Sequence, residues 1–453
     1  MIGATLSRWT VSYFAAALGA LIAAEALMAA GFGFPQAEIR SPDTLVVVHL
    51  VTIGWLSLAM CGALLQFVPV LTTGPLYSNL LPLPALACLI AGLAALLLGF
   101  LQLGGRFSAE APFLAIGATL LGVGFGLTIW NLGATLWKAR PLPLAARFVC
   151  VGLVSLGATV GYGIAFALGR GETATGASLL SSVQSGLPIH VAAGLGGWMT
   201  FTAAGVSHRL LAMFMLAPDL NRAGSRATFW SGTFSLSVLI AGGATALLLR
   251  APLGGILSFS GLLALIALAL YGRDILHLYR NRKRRVLELN SRMAAVALSN
   301  LAASVLLIVT LLLLRSFYDH VGAAVFLVVF GWLSGFVLAK LYKIVAFLTW
   351  LECYGPVLGR TPTPRVQDLV VEQRAIKWFW LYYGAVWCAT VALLFDASIA
   401  FRASAFFMAI ATCGITCQLA RTRRLMDVAA ANPLPAGAAT PSFLRSLSSL
   451  TRP

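Results

Sequence analysis

The sequence predicts an all-α integral membrane protein with twelve transmembrane helices in three four-helix repeats, N-terminus and C-terminus both cytoplasmic. Three observations predict it. Hydrophobic residues make up 60% of the chain and charged residues only 10%, whereas a soluble domain carries about a quarter charged residues. One stretch occurs three times. Lys and Arg are distributed unevenly between alternate loops.

The repeated stretch begins at His49 (HLVTIGWLSLAMCGALLQFVP), at His190 (HVAAGLGGWMTFTAAGVSHRLLAM) and at His320 (HVGAAVFLVVFGWLSGFVLAKLYKIVAF). The copies align on Gly54-Trp55, Gly197-Trp198 and Gly331-Trp332, and a small residue follows eight positions after each Gly: Gly62, Gly205 and Ala339. The copies are about 140 and then about 134 residues apart, room for about four membrane helices each.

Taken in order, apolar runs long enough to span a bilayer lie at roughly 10–31, 45–70, 82–103, 113–136, 146–169, 187–212, 228–249, 253–272, 294–314, 321–346, 375–395 and 403–420. The first follows a basic residue, as a signal peptide would, but its length predicts an uncleaved helix. With the N-terminus inside, the outer loops hold six basic residues, Arg40, Arg106, Arg170, Arg250, Arg315 and Arg402, leaving 25 of the 31 on the inner side. That bias sets the orientation. The copies then occupy spans 2, 6 and 10, with His49, His190 and His320 near the outer side and His208 and His277 near the inner side. The segment 347–374 reads as an ordered turn system. The membrane domain is expected over 1–427, followed by a mobile Ala/Pro/Ser-rich cytoplasmic tail over 428–453.

The net charge of +17 is a consequence of topology, so nucleic acid is excluded as a partner and the lipid bilayer is the expected one. The seven cysteines lie mostly in apolar runs and read as packing residues. Asn131, Gln66 and Asn300 read as hydrogen-bonding glue between helices, and the Gly-Trp pairs as packing devices. Glu25 is the single carboxylate placed deep in a span. It serves either as a proton relay or as a hydrogen-bonding partner to a neighbouring helix.

Twelve spans in three four-helix units, with His-bearing helices at 2, 6 and 10, resemble subunit I of the haem-copper oxidase and nitric oxide reductase superfamily. The resemblance implies three arcs about a pseudo-threefold axis. It implies a low-spin haem between helices 2 and 10, and a copper held by one His of helix 6 and two of helix 7. His49, twenty residues before Pro69, matches the helix-2 haem ligand, and His190 matches the helix-6 copper ligand. The match ends there. Span 7 has no His, and span 10 has no His-x-His; the position equivalent to His49 is Phe326, and His320 lies nearly two turns earlier, beside Asp319.

The resemblance therefore implies a b-type haem on His49, with copper the weaker expectation. His49 is either that ligand or a structural histidine bonded to a backbone carbonyl. His190 and His320 are metal-ligand candidates against interfacial or solvated readings. A single site uniting all three is disfavoured. Their offsets from the Gly-Trp pairs, 5, 7 and 11 residues, spread them by about 9 Å at about 1.5 Å per residue. His208-Arg209 and Lys340, Tyr342 and Lys343 read as interfacial helix ends whose side chains snorkel. The expected function is a subunit I-like protein of a bacterial inner membrane serving respiratory electron transfer or NO/O2-related chemistry, with a cytochrome c or quinol donor and other respiratory subunits as partners. A non-catalytic relative in sensing, respiratory-enzyme assembly or haem and copper handling is the alternative. A secondary transporter is the third reading, and a threefold repeat argues against it.

Overall fold

The computed structural model describes residues 8–169, 185–220, 222–428, 434, 441, 442 and 444, which leaves nearly all of the expected tail and Arg170 outside the described residues. Among the described residues there is no strand and there are twelve long helices: α1 Thr10–Ala30, α2 Pro42–Thr72, α3 Pro82–Leu103, α4 Phe113–Lys138, α5 Leu144–Gly169, α6 187–215, α7 Ala223–Leu248, α8 Gly254–Arg280, α9 Leu289–Leu313, α10 Val321–Cys353, α11 Glu372–Leu394 and α12 Ser398–Arg423. Each expected span falls on one of them. Ten are long and apolar enough to cross a membrane. The remaining two, α6 and α11, are long enough but diluted, α6 by Gly, Thr and His, and α11 by Glu372, Arg374, Lys377 and its tyrosines.

Helix ends follow local chemistry. Ser41 caps α2, accepting from the Thr44 amide, with Pro42 in the first turn and Asp43 beside it. The α1 helix stops at Gly31, which takes the left-handed conformation (φ 84°) and returns its N–H to Leu27 and Met28. Several helices outrun their apolar stretch. The α8 helix continues to Arg280 and α10 to Cys353, so the first part of the expected turn segment 347–374 is helix. Two short 3₁₀ turns, Gly355–Val357 and Val366–Leu369, supply the rest.

The chain divides into two compact units, one of Met1–Gln66, Leu103–Arg106 and Glu288–Pro453, the other of Phe67–Gln102 and Phe107–Leu287. In the first, α1 packs against α2 and α12, α11 lies on α12, and α9 lies on α10. In the second, α5 packs against α4 and α6, and α7 against α8. The small residue after each Gly-Trp pair has a definite task in two copies. A Cβ on Gly62 would stand 2.8 Å from the Tyr13 Cβ of α1, and one on Gly205 would stand 2.1 Å from the Phe148 Cβ of α5. Each glycine thus admits the backbone of the helix that precedes its own.

The Gly-Trp pairs mark a shared distortion. The α2, α6 and α10 helices widen to π geometry over Leu50–Ser57, Ala192–Phe201 and Leu327–Ser334, and each pair lies within that stretch. Trp55, Trp198 and Trp332 are all at most 1% exposed. A wide turn disturbs the regular carbonyl ladder, and side chains take up the carbonyls. Asn300 donates to the Gly331 carbonyl at 3.1 Å and Ser57 to that of Thr52 at 2.9 Å. Asn300 also accepts from the Trp387 indole at 3.1 Å, and Gln66 donates to Thr10 at 2.6 Å, both joining helices as expected. Asn131 differs: it clamps the connection before α3 through the backbone N–H and carbonyl of Ser78, both at 2.9 Å.

Charge gathers at the C-terminal end of α12. Arg423 reaches Glu352 at 2.8 Å with both side chains almost fully buried, and Asp427 receives Arg421 and Arg374, each at 2.6 Å. The Arg421 guanidinium first, then that of Arg374, holds the Asp427 carboxyl below the usual carboxylate range. A folded-state value below the unfolded one gives stability that is present above the unfolded value and lost as pH falls through the folded one. Asp427→Asn should therefore lower the thermal midpoint at pH 7, by the equivalent of about 1 kcal/mol or less, since both guanidiniums are partly exposed to solvent. The gap from wild type should close below about pH 4. Melting curves between pH 3 and 7 check this; a gap constant over that range would refute it.

Candidate functional site

The three histidines at the starts of the copies share one arrangement. The Nδ1 of His49 lies 2.8 Å from the Leu45 carbonyl, that of His320 lies 3.1 Å from the Ser316 carbonyl, and that of His190 lies 3.0 Å from the Thr159 carbonyl on α5. A carbonyl only accepts, so Nδ1 carries the proton in each case and Nε2 holds the ring's lone pair. Each imidazole is half-buried. Asp319 is exposed, and His320 is oriented by the turn before α10. A backbone-anchored Nδ1 is what a structural histidine requires and also what orients a metal-ligating one. Among the described residues no group of three or more His, Cys, Asp or Glu is placed to hold a metal ion.

The polar centre of the first unit is built around Glu25. It sits midway along α1 and is fully buried. Its Oε1 accepts from the Thr412 hydroxyl of α12 at 3.0 Å, while Oε2 has no hydrogen-bond partner. Tyr382 of α11, also fully buried, is close enough for the two groups to interact electrostatically. Its hydroxyl donates to the Phe330 carbonyl at 3.1 Å and meets Ser334. Ser334 accepts from the Trp55 indole at 2.9 Å. Hydrogen bonds thus tie α12 to α1 through Glu25, and α11 to α10 and α10 to α2 through Tyr382, Ser334 and Trp55. The sequence marks Glu25 alone. Thr412, Tyr382 and Ser334 are ordinary residues of apolar helices until packing gives them partners, Thr412 at the Glu25 carboxyl, Tyr382 at the Phe330 carbonyl and Ser334 at the Trp55 indole.

Three readings of the sequence need correction. Lys340, Tyr342 and Lys343 are not at a helix end, because α10 runs on to Cys353; Lys340 is 4% exposed with its ammonium 5.2 Å from the Phe336 ring, and Lys343 pairs with Glu288 at 2.7 Å. His208 does not snorkel; it is 5% exposed, while its neighbour Arg209 reaches out to Asp219. Glu25 is not the single buried helix carboxylate, since the extension of α8 carries Asp274, 4% exposed. The cysteines also divide. All seven are free; Cys61 and Cys353 are buried as expected, but Cys388, Cys413 and Cys417 are exposed.

No protein-family model matches the chain, and no characterised protein sequence matches it. The cofactors that the resemblance implies are therefore weighed on the residues themselves. A haem clamped between α2 and α10 needs a ligand on each helix and a slot between them. The position opposite is Phe326, 7% exposed, which has no donor atom and packs its ring on Phe330 at 4.6 Å and Phe401 at 5.5 Å. Six residues past His49 the two helices already touch, through the Trp55–Ser334 hydrogen bond. The clamped haem does not fit these residues. The copper does not fit either, since α7 brings no histidine to join His190.

The Trp55–Ser334 bond gives a direct test of this packing. Trp55→Phe keeps an aromatic ring but removes the donor, and should destabilise the protein by about 0.5–1 kcal/mol in a reversible unfolding measurement in detergent. An unchanged midpoint would show that the bond contributes nothing.

Proposed function

We propose that the chain is a haem-copper oxidase subunit I-like protein of a bacterial inner membrane that works through a buried proton-binding carboxyl, Glu25, in place of an oxygen-reducing metal centre. On this reading it keeps the twelve-span scaffold of three four-helix units about a pseudo-threefold axis, with both termini cytoplasmic. It is a non-catalytic relative acting in sensing or in respiratory-enzyme assembly. The twelve helices, the asymmetric Lys and Arg, and the three Gly-Trp pairs in widened turns support the scaffold.

The observation that carries the role of Glu25 is its second carboxyl oxygen. A fully buried polar atom without a partner is rare and calls for an explanation. A carboxyl inside a membrane helix is a functional candidate by default. Proton binding at Oε2 removes the charge, the costliest part of burying such a group. Thr412 holds the other oxygen, and Tyr382 lies within electrostatic reach. Infrared difference spectra of the purified protein across a pH step test the reading. A carboxyl C=O band that responds to pH and vanishes in Glu25→Gln is expected. Identical spectra for the two proteins would end the proposal.

A second reading places a b-type haem on His49 alone. It is favoured by the anchored Nδ1, which turns the lone pair to Nε2. It carries respiratory electron transfer or NO/O2-related chemistry, with a cytochrome c or quinol donor. A pyridine haemochrome assay on protein produced with ample haem separates the two readings. Absence of stoichiometric haem is the expected outcome. About one haem per chain, lost in a folded His49→Ala variant, would establish the second reading instead.

A further inference from the structure

The second unit holds a buried acid–base pair that the Glu25 reading does not use. His208 comes from the C-terminal part of α6 and Asp274 from the extension of α8. Both are at most 5% exposed, and Nε2 of the imidazole stands 3.7 Å from Oδ2 of the carboxylate. Neither ring nitrogen of His208 has a hydrogen-bond partner. The walls around the imidazole are largely aromatic: Phe148 of α5 meets it edge-on at 5.5 Å and Tyr271 of α8 lies at 5.4 Å. Tyr271 cannot readily serve the ring, because its hydroxyl is engaged with Ser207 at 2.7 Å. From α7, Thr228 donates to Asp274 Oδ2 at 3.3 Å.

The separation is the informative quantity. It is about half an ångström beyond an N–H···O hydrogen bond, but within ion-pair range. No partner fixes the tautomer of the neutral ring: with its proton on Nδ1, Nε2 and Oδ2 face one another as two acceptors, and with it on Nε2 an uncharged donor stands too far from Oδ2 for a hydrogen bond. One added proton converts the pair into a donor facing an acceptor. Proton on the ring or proton on the carboxyl gives the same improvement, so the titration belongs to the pair.

We propose that His208 and Asp274 form a proton-binding site. It takes up one proton from water between Nε2 and Oδ2, and the resulting N–H···O contact ties α6 to α8. The step moves no electrons and forms no covalent bond other than that to the proton. Charged groups also face Asp274 from its own helix, Arg273 and His277. His277 is engaged by Arg222 at 2.7 Å and Arg209 by Asp219 at 2.8 Å. The α5 helix contributes the apolar Phe148. The site stands in a different unit from Glu25 and is independent of its role.

The test uses the full chain in lipid nanodiscs with ¹⁵N-labelled histidine, and His208→Gln to assign the resonances. The His208 nitrogens should pass from the neutral to the doubly protonated pattern as pH is lowered. In Asp274→Asn the pair's proton affinity should fall tenfold or more, as expected for loss of an opposite charge at this range. Should that variant fail to fold, Thr228→Val, which removes a donor from Oδ2, should raise the proton affinity of the pair. His208 resonances that do not change between pH 4 and 9 would overturn the proposal. So would a midpoint that a folded variant leaves unmoved.

Discussion

An indole buried in a membrane core has to give its N–H to something, and in the first unit that requirement fixes how two helices meet. Trp55 finds Ser334 across the α2–α10 contact, and neither lipid nor water is there to take its place. The contact stands where both helices have widened to π geometry. A wider turn moves the residues after it around the axis, so a tryptophan inside the turn and a serine at its end can face a neighbouring helix instead of their own. The same widening hands carbonyls to Asn300 and Tyr382. The Trp55–Ser334 contact and the orientation of Tyr382 therefore both rest on the widened turns.

Those turns also bear on why Glu25 is tolerable in α1. The carboxyl is costly in hydrocarbon unless it is surrounded by dipoles. Thr412 supplies one directly, and Tyr382, held by the α10 turn through the Phe330 carbonyl, lies within electrostatic reach.

Much of the fold was legible in the sequence because hydropathy and charge are properties of single residues summed over a window. Twelve apolar runs became twelve helices. What was lost lay at helix ends and in partnerships. Polar residues at 273–280 and 347–353 lower hydropathy without breaking a helix. The runs therefore looked shorter than the helices, Asp274 drew no notice, and Lys340 was read as an interfacial helix end. The Gly-Trp pairs were readable as packing devices, but not as π turns, since no residue type encodes a change from i−4 to i−5 bonding. At the candidate site, Glu25 and the three histidines were legible as rare polar residues in apolar surroundings. Thr412, Tyr382 and Ser334 were not, because each becomes polar lining only when a distant helix arrives.

The haem question turns on the same packing. The residues of α2 retain a histidine with its tautomer set, while α10 offers Phe326 where a second ligand would stand. Phe326, Phe330 and Phe401 pack their rings together on one side, and Trp55 meets Ser334 on the other. Aromatic rings in contact across helices recover in dispersion and burial what a prosthetic group would otherwise provide. An interface so filled has no stability reason to open. A haem added to it would have to displace an indole that already has its hydrogen bond and a phenylalanine that already has its neighbours. Such a scaffold holds its shape through its own side chains.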